Sequence, residues 1–239
     1  MHLKRLNTPK RWNIAKKTST YVARPLSGPH KKEFSVPLIV LLREQLGLVD
    51  TRKDSLRLIH NKEILLDNSL VKSNKIPVGL FDVVSFPANK INYRMTLDVR
   101  GGLSAIKIDE KEAKQKLFNI TDKTRIKNGK IQLNCSSGRN ILIEKDSYKV
   151  GDSILFDLEK KKIIKHLPAK KGALVLVMFG KHAGELATIE DFKNFKGTSK
   201  DQVILKTDKN AVYETMKEYA FVVGEKKPEL KIKEGSKNE

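Results

Sequence analysis

Lys53 and Arg57 stand four residues apart, a spacing that puts two cations on one helical face while Leu56 and Ile59 turn inward. Two cations so placed can grip neighbouring phosphates. Arg43, Arg52 and Lys62 lie close to them in the chain. The densest cationic stretch is residues 1–34, where Lys4, Arg5, Lys10, Arg11, Lys16, Lys17, Arg24, Lys31 and Lys32 face a single acid, Glu33. Trp12, Tyr21 and His30 interleave with them. Cations for phosphates and aromatic rings for unpaired bases are what RNA recognition requires. Arg100, Lys127, Lys130, Arg139 and the pair Lys181-His182 fall at expected turns, as further candidate contacts.

The residue types of catalysis form no matching pattern. The sequence has no G-x-x-x-x-G-K-[ST], no G-x-G-x-x-G and no H-E-x-x-H. The histidines at 2, 30, 60, 166 and 182 are far apart, and Cys135 alone builds neither a thiolate zinc site nor an internal disulfide. Asp98 before Arg100-Gly101-Gly102 can be read as a nucleophile beside an arginine or as the end of a strand, and the second reading fits the turn that follows. No catalytic, cofactor-binding or metal-ligating residue is therefore expected, and no cofactor.

The formal net charge of +20 over 239 residues implies a polyanionic partner: RNA, DNA or an anionic membrane surface. Membrane is the weakest of the three, because the longest apolar runs, residues 36–42 and 173–179, are far short of a span and no signal-peptide pattern opens the chain. A lone cysteine fits a reducing cytosol.

These cations must be positioned by local elements. Leu38, Ile39, Leu41, Leu42 and Leu46 recur at helical spacing, with Ser35 expected as cap and Gly47 as stop. Thr51 and Asp54 make a capping box for a second helix, and residues 64–66, 70–71 and 82–86 read as a small sheet around the Asp67-Asn68-Ser69 turn. The order resembles the S-four-type RNA-binding domain through Thr51-Arg52, Ser55, Leu58-Ile59, Ile64, Leu66 and Asp67-Asn68. Both glycines of that pattern are replaced, by Lys62 and Asn68; asparagine tolerates a left-handed turn, whereas Lys62 predicts a different one.

Residues 1–34, punctuated by prolines, are expected to lack a core and to be disordered until laid on RNA. Residues 91–168 read as mostly β, with the hairpin turn Asn128-Gly129, a strand pair about Glu159-Lys160-Lys161 and a short helix after Asp109. From Lys170 the pattern KKGALVLVMFGKHAGELATIEDF resembles a KOW motif; Gly172, Gly180 and Gly184 fit its loop, and Ala187 replaces a third glycine, which puts the loop's tightest turn in question. The last residues read as a mobile polar tail.

HLKRL (2–6), PKRW (9–12), RPLSGPHK (24–31), VPLIVLLR (36–43), PVGLFDVV (77–84) and KEYAFVVG (217–224), in order along the chain, resemble the archaeal and eukaryotic small-subunit ribosomal protein S-four-e family, its archaeal members most. The resemblance implies a multidomain α+β protein. Its parts would be a basic N-terminal rRNA-binding extension (1–34), an S-four-type domain (35–90), a central β domain (91–169), a KOW SH3-like β-barrel (170–226) and a flexible tail (227–239). It further implies a cytoplasmic structural constituent of the small ribosomal subunit. The implied partners are small-subunit rRNA and neighbouring ribosomal proteins, with neither DNA nor membrane. An accessory to an RNA-modifying enzyme and a KOW-type transcription or translation factor are the alternatives.

Overall fold

The computed structural model describes residues 2–126, 129–144, 146–193, 195, 200–207 and 211–232. The leader is folded, contrary to the expectation of disorder. Its strands β1 (Leu3–Lys4) and β2 (Tyr21–Val22) pair antiparallel. Leu3, Trp12, Ile14 and Val22 turn inward and join the main core, with Trp12 at 0% exposure. Its apolar residues are too few for a core of their own, so they borrow one from the elements that follow.

Strand β3 (Ser35–Pro37) leads into a helical turn, α1 (Leu38–Val40), that widens into a π-helical stretch, Leu41–Gln45. Ser35 is not the cap that the spacing suggested. Its backbone is committed to the ladder with β6, opposite Gly79, and its hydroxyl donates to the Lys31 carbonyl at 2.9 Å. Pro37 stands at the start of the helix instead. Gly47 does end it, at φ +61°. Helix α2 (Arg52–His60) carries the expected capping box between Thr51 and Asp54. Lys62 takes φ +58° despite its Cβ, so the helix-to-strand turn is the left-handed one that was thought barred to it. Asp67 and Asn68, at φ +48° and +59°, make the tight turn between β4 (Leu65–Leu66) and β5 (Ser69–Leu70).

The next strands are β6 (Pro77–Gly79), β7 (Val83–Phe86), β8 (Ile91–Leu97) and β9 (Leu103–Ile108). β6 pairs with β3, and among the described residues β7, β8 and β9 join β4 and β5 in a five-stranded sheet in the order β5-β4-β7-β8-β9. β8 and β9, beyond the boundary expected at residue 91, continue the sheet of the strands before it, with Val83 opposite Arg94. After a short α3 (Glu110–Ala113) come β10 (Gln115–Arg125), β11 (Ile131–Cys135), β12 (Asn140–Ile143), β13 (Ser153–Asp157) and β14 (Lys162–Leu167), a second sheet in the order β12-β11-β10-β13-β14. Asn128 of the Asn128-Gly129 turn, and Lys127 beside it, lie outside the described residues. The strands β15 (Leu174–Val177), β16 (Leu186–Lys193), β17 (Gln202–Thr207), β18 (Val212–Met216) and β19 (Ala220–Gly224) form a third, β18-β17-β16-β15-β19. Ala187 sits within β16 opposite Val175, so it strains no turn; Gly180 and Gly184, at φ +90° and +87°, carry the loop.

One core runs through the leader, the first sheet and the third, where Phe81 meets Phe221 at 4.9 Å. Period-2 alternation splits the second sheet between cores: Leu117 and Leu155 face the shared one, while Phe118 and Phe156 face a core of their own. The reading of residues 227–239 as a mobile tail fails for its first half. Leu230 and Ile232 are buried in the shared core, and Lys165 pairs with Glu229 at 2.8 Å. Residues 233–239 lie outside the described residues.

Two cations are buried among the described residues, Arg94 at 0% exposure, paired with Glu112 at 3.1 Å, and Lys116 at 1%. From β10 its ammonium reaches Asp67 in the β4–β5 turn and Asp82 before β7, each at 2.5 Å. Asp82 also accepts from the Gly79 N–H at 2.8 Å and from His30 Nε2 of the leader at 2.9 Å. Burial opposes charge on Lys116, but the two carboxylates outweigh it and hold its pKa above the ordinary value. Burial likewise opposes charge on Asp82, and Lys116 with His30 overcomes it, keeping Asp82 well below the usual carboxylate range. Asp67 lies the other way, raised by burial against the pull of Lys116 and by repulsion from Asp82.

Two outcomes are expected. Trp12→Ala should cost about 3–5 kcal/mol in urea unfolding, the cost of emptying a large buried site. Lys116→Met should cost about 3–5 kcal/mol at neutral pH, because it strands two buried carboxylates. A depressed Asp82 contributes stability above its unfolded pKa of about 3.9, lost as pH falls through the lower folded value. Without Lys116 both carboxylates favour protonation, as Asp67 already does in the parent, so the variant should gain more stability than the parent as pH falls from neutral toward the unfolded carboxylate value of about 3.9.

Candidate nucleic-acid interface

The leader hairpin and the start of α2 enclose a cleft of about 310 Å³. β2 supplies Tyr21 from one side, and Arg24 follows two residues beyond it; Arg43 and Arg52 come from the helical region, and Lys75 from the loop before β6. No acidic residue lines it. Arg43 is fixed by Glu44 outside the cleft, at 2.7 Å. Arg52 and Lys75 have no acidic partner among the described residues. His2 completes one rim, its ring 5.3 Å from that of Tyr21, and Tyr21 remains 54% exposed. The sequence singled out Arg24, Arg43 and Arg52 separately and the fold brings them together; His2 and Lys75, not among its candidates, line the same cleft.

On the outer face of α2, Lys53 and Arg57 are exposed as their spacing predicted, and Arg57 stays 3.9 Å from Asp54. Lys62 is exposed just beyond the helix. On the leader, Lys4, Lys10, Lys16, Lys17, Lys31 and Lys32 are all exposed. A second junction joins two distant candidates. The turn carrying Arg100 packs on the loop carrying Lys181 so closely that a Cβ at Gly184 would lie 1.9 Å from the Asp98 carbonyl oxygen. Asp98 follows β8 directly, and its carbonyl accepts the Gly101 N–H at 2.8 Å, as the start of a turn after a strand should.

Several candidates are occupied internally instead. Arg5 donates to the Ile14 carbonyl, to the Ala15 carbonyl at 3.2 Å and to the Thr8 hydroxyl at 2.8 Å, closing the leader's loop. Arg11 lies over Phe179 at 4.4 Å and donates to the Met178 carbonyl at 2.8 Å, stapling the leader to the third sheet. Trp12, buried with its indole N–H donating to the Lys32 carbonyl at 3.3 Å, has no face free for a base. His30 serves Asp82. His182 stacks on Tyr213 at 4.0 Å and 15° and faces Glu185 at 3.1 Å. Arg139, half-buried, lies 5.9 Å from the centre of the Phe156 ring. Composition marks such residues as contacts; only their partners show that the fold uses them first.

Cys135 is buried, which pushes its thiol up to about 11 and leaves no reactive thiolate. Among the described residues no group of three or more His, Cys, Asp or Glu is placed to hold a metal ion, and no helix is long and apolar enough to cross a membrane.

Residues 1–33 match the family model described as the RS4NT (NUC023) domain, and residues 89–163 match that of ribosomal family S4e. The small ribosomal subunit protein eS4 of Archaeoglobus fulgidus is 41% identical, over 95% of this chain and 94% of its own length. The eS4 protein of Methanosphaera stadtmanae is 36% identical, over 97% and 95%. The crystal structure of the 30S ribosomal protein S4e from Thermoplasma acidophilum superposes with a TM-score of 0.69 at 26% identity, covering 81% of this chain and 96% of that one. With relatives this similar along nearly its whole length, the chain belongs to the S4e family of small-subunit ribosomal proteins.

Proposed function

We propose that this chain is a structural constituent of the small ribosomal subunit that binds and stabilises rRNA during assembly and translation, with no reaction of its own. The observation that carries the reading is the placement of the cations. Most leader lysines, with Lys53, Arg57 and Lys62, stand outward on a folded scaffold whose apolar residues point in. A preformed cationic surface neutralises phosphates without first ordering a disordered arm. The exposed junction of Arg100 and Lys181 adds contacts, and the third sheet acts as the KOW module. Neighbouring small-subunit proteins are the other partners, and the protein works in the cytoplasm.

Two outcomes test this. A tagged chain expressed in its host should sediment with small subunits, and its depletion should leave precursor particles; sedimentation as free protein or with polymerase contradicts the proposal. Reversing both Lys53 and Arg57 to Glu should leave the unfolding midpoint unchanged, since both are exposed, and should flatten the dependence of log affinity for small-subunit rRNA on log salt by about 1.5 to 2 units. An unaltered slope would remove these two residues from the interface.

A further inference from the structure

The cleft between the leader hairpin and α2 differs in kind from the open cationic faces. We infer that it takes one unpaired nucleotide of the small-subunit rRNA, its phosphate against Arg52 and Lys75 and its base against Tyr21 and His2. The inference rests on the rRNA-binding reading above and deepens it.

The size fits a single nucleotide, since about 310 Å³ lies at the lower end of the roughly 300–1,000 Å³ of small-ligand sites. The charge fits a phosphate. Four cations line it with no acid among the lining residues; Arg43 is held by Glu44 outside it, while Arg52 and Lys75 have no acidic partner among the described residues. The rings argue against a duplex as the occupant. A double-stranded RNA presents phosphates and a shallow minor groove, with its bases stacked away from any side chain. Tyr21, 54% exposed beside His2 at the mouth of a cationic cleft, finds a partner only in a base that has left its stack. The cleft is also held open before any ligand arrives. The β1–β2 pairing sets Tyr21 opposite Lys4, buried Leu3 and Val22 anchor the hairpin in the core, and the Ile39 N–H donating to the Asn74 carbonyl at 2.8 Å fixes the floor.

The test is ultraviolet crosslinking of the full-length chain to a small-subunit rRNA transcript, with mass spectrometry of the adducts and chemical probing of the bases. A nucleotide adduct is expected on Tyr21 or His2, from one rRNA position whose base is unpaired and protected in the complex. Tyr21→Ala should abolish the adduct, restore that base's reactivity and weaken Kd roughly 5- to 100-fold, the range for losing one stacked base. Tyr21→Phe should keep all three, which separates stacking from a loss of fold, as does an unchanged melting curve for Tyr21→Ala. Arg52→Ala with Lys75→Ala should flatten the salt dependence by about 1.4 units, the single-strand value for two phosphates. Specific binding of the parent with no adduct on residues 2–24, or with an unchanged affinity in Tyr21→Ala, overturns the inference alone. An adduct in assembled subunits that joins Tyr21 to another protein overturns it in favour of an acidic peptide. A parent chain that binds this transcript no better than unrelated RNA overturns the function proposed above, and the inference with it.

Discussion

The buried ammonium of Lys116 has to be satisfied for this fold to exist. It comes from the second sheet, and its partners Asp67 and Asp82 belong to turns of the first. His30 brings the leader to the same carboxylate. Three segments far apart in sequence thus meet at one set of charges, where burial makes each unpaired group costly. A hydrophobic contact would tolerate sliding between sheets; a cation held by two carboxylates does not. One ammonium cannot fully balance two carboxylates, which explains why Asp82, with the extra donors, is held ionised more firmly than Asp67.

The leader shows how a strongly basic segment becomes part of a folded surface. Its inward residues, Leu3, Trp12, Ile14 and Val22, join a core that the first and third sheets have already built. Three of its polar side chains turn inward as fasteners: Arg5 on its own loop, Arg11 on the third sheet and His30 on Asp82. The remaining cations are left outside by that arrangement. Segregation of this kind concentrates positive charge on a rigid face, and on the proposed function it is what meets rRNA.

Local signals were legible wherever a short-range rule governs. The Thr51–Asp54 capping box, the stop at Gly47, the Asp67-Asn68 turn and the Glu159–Lys161 hairpin follow from residues within four positions of each other. Most failures are long-range. Ser35 lost its capping role to a ladder with residue 79. Lys62 is the local exception: at φ +58° it closes the end of α2, its N–H donating to the Ile59 carbonyl and that of Glu63 to the Leu58 carbonyl. Nothing local in the sequence says that β8 pairs backwards onto β7 across residue 91. Leu230 and Ile232 sit in a polar stretch whose composition hides two core residues. The candidate contacts divided in the same way. Exposed lysines on helix faces and turns were read correctly as exposed, whereas Trp12, Arg11 and His30 were misread because their partners lie between 20 and 167 residues away.

The central claim is that the basic leader is a folded wall of the protein before any RNA arrives. Trp12 is the chain's only tryptophan, so its fluorescence reports on this directly. In the free protein its emission should already be blue-shifted and resistant to quenching by acrylamide, and adding small-subunit rRNA should leave both unchanged. Emission typical of a water-exposed indole in the free protein, shifting to the blue when rRNA is added, would contradict the account.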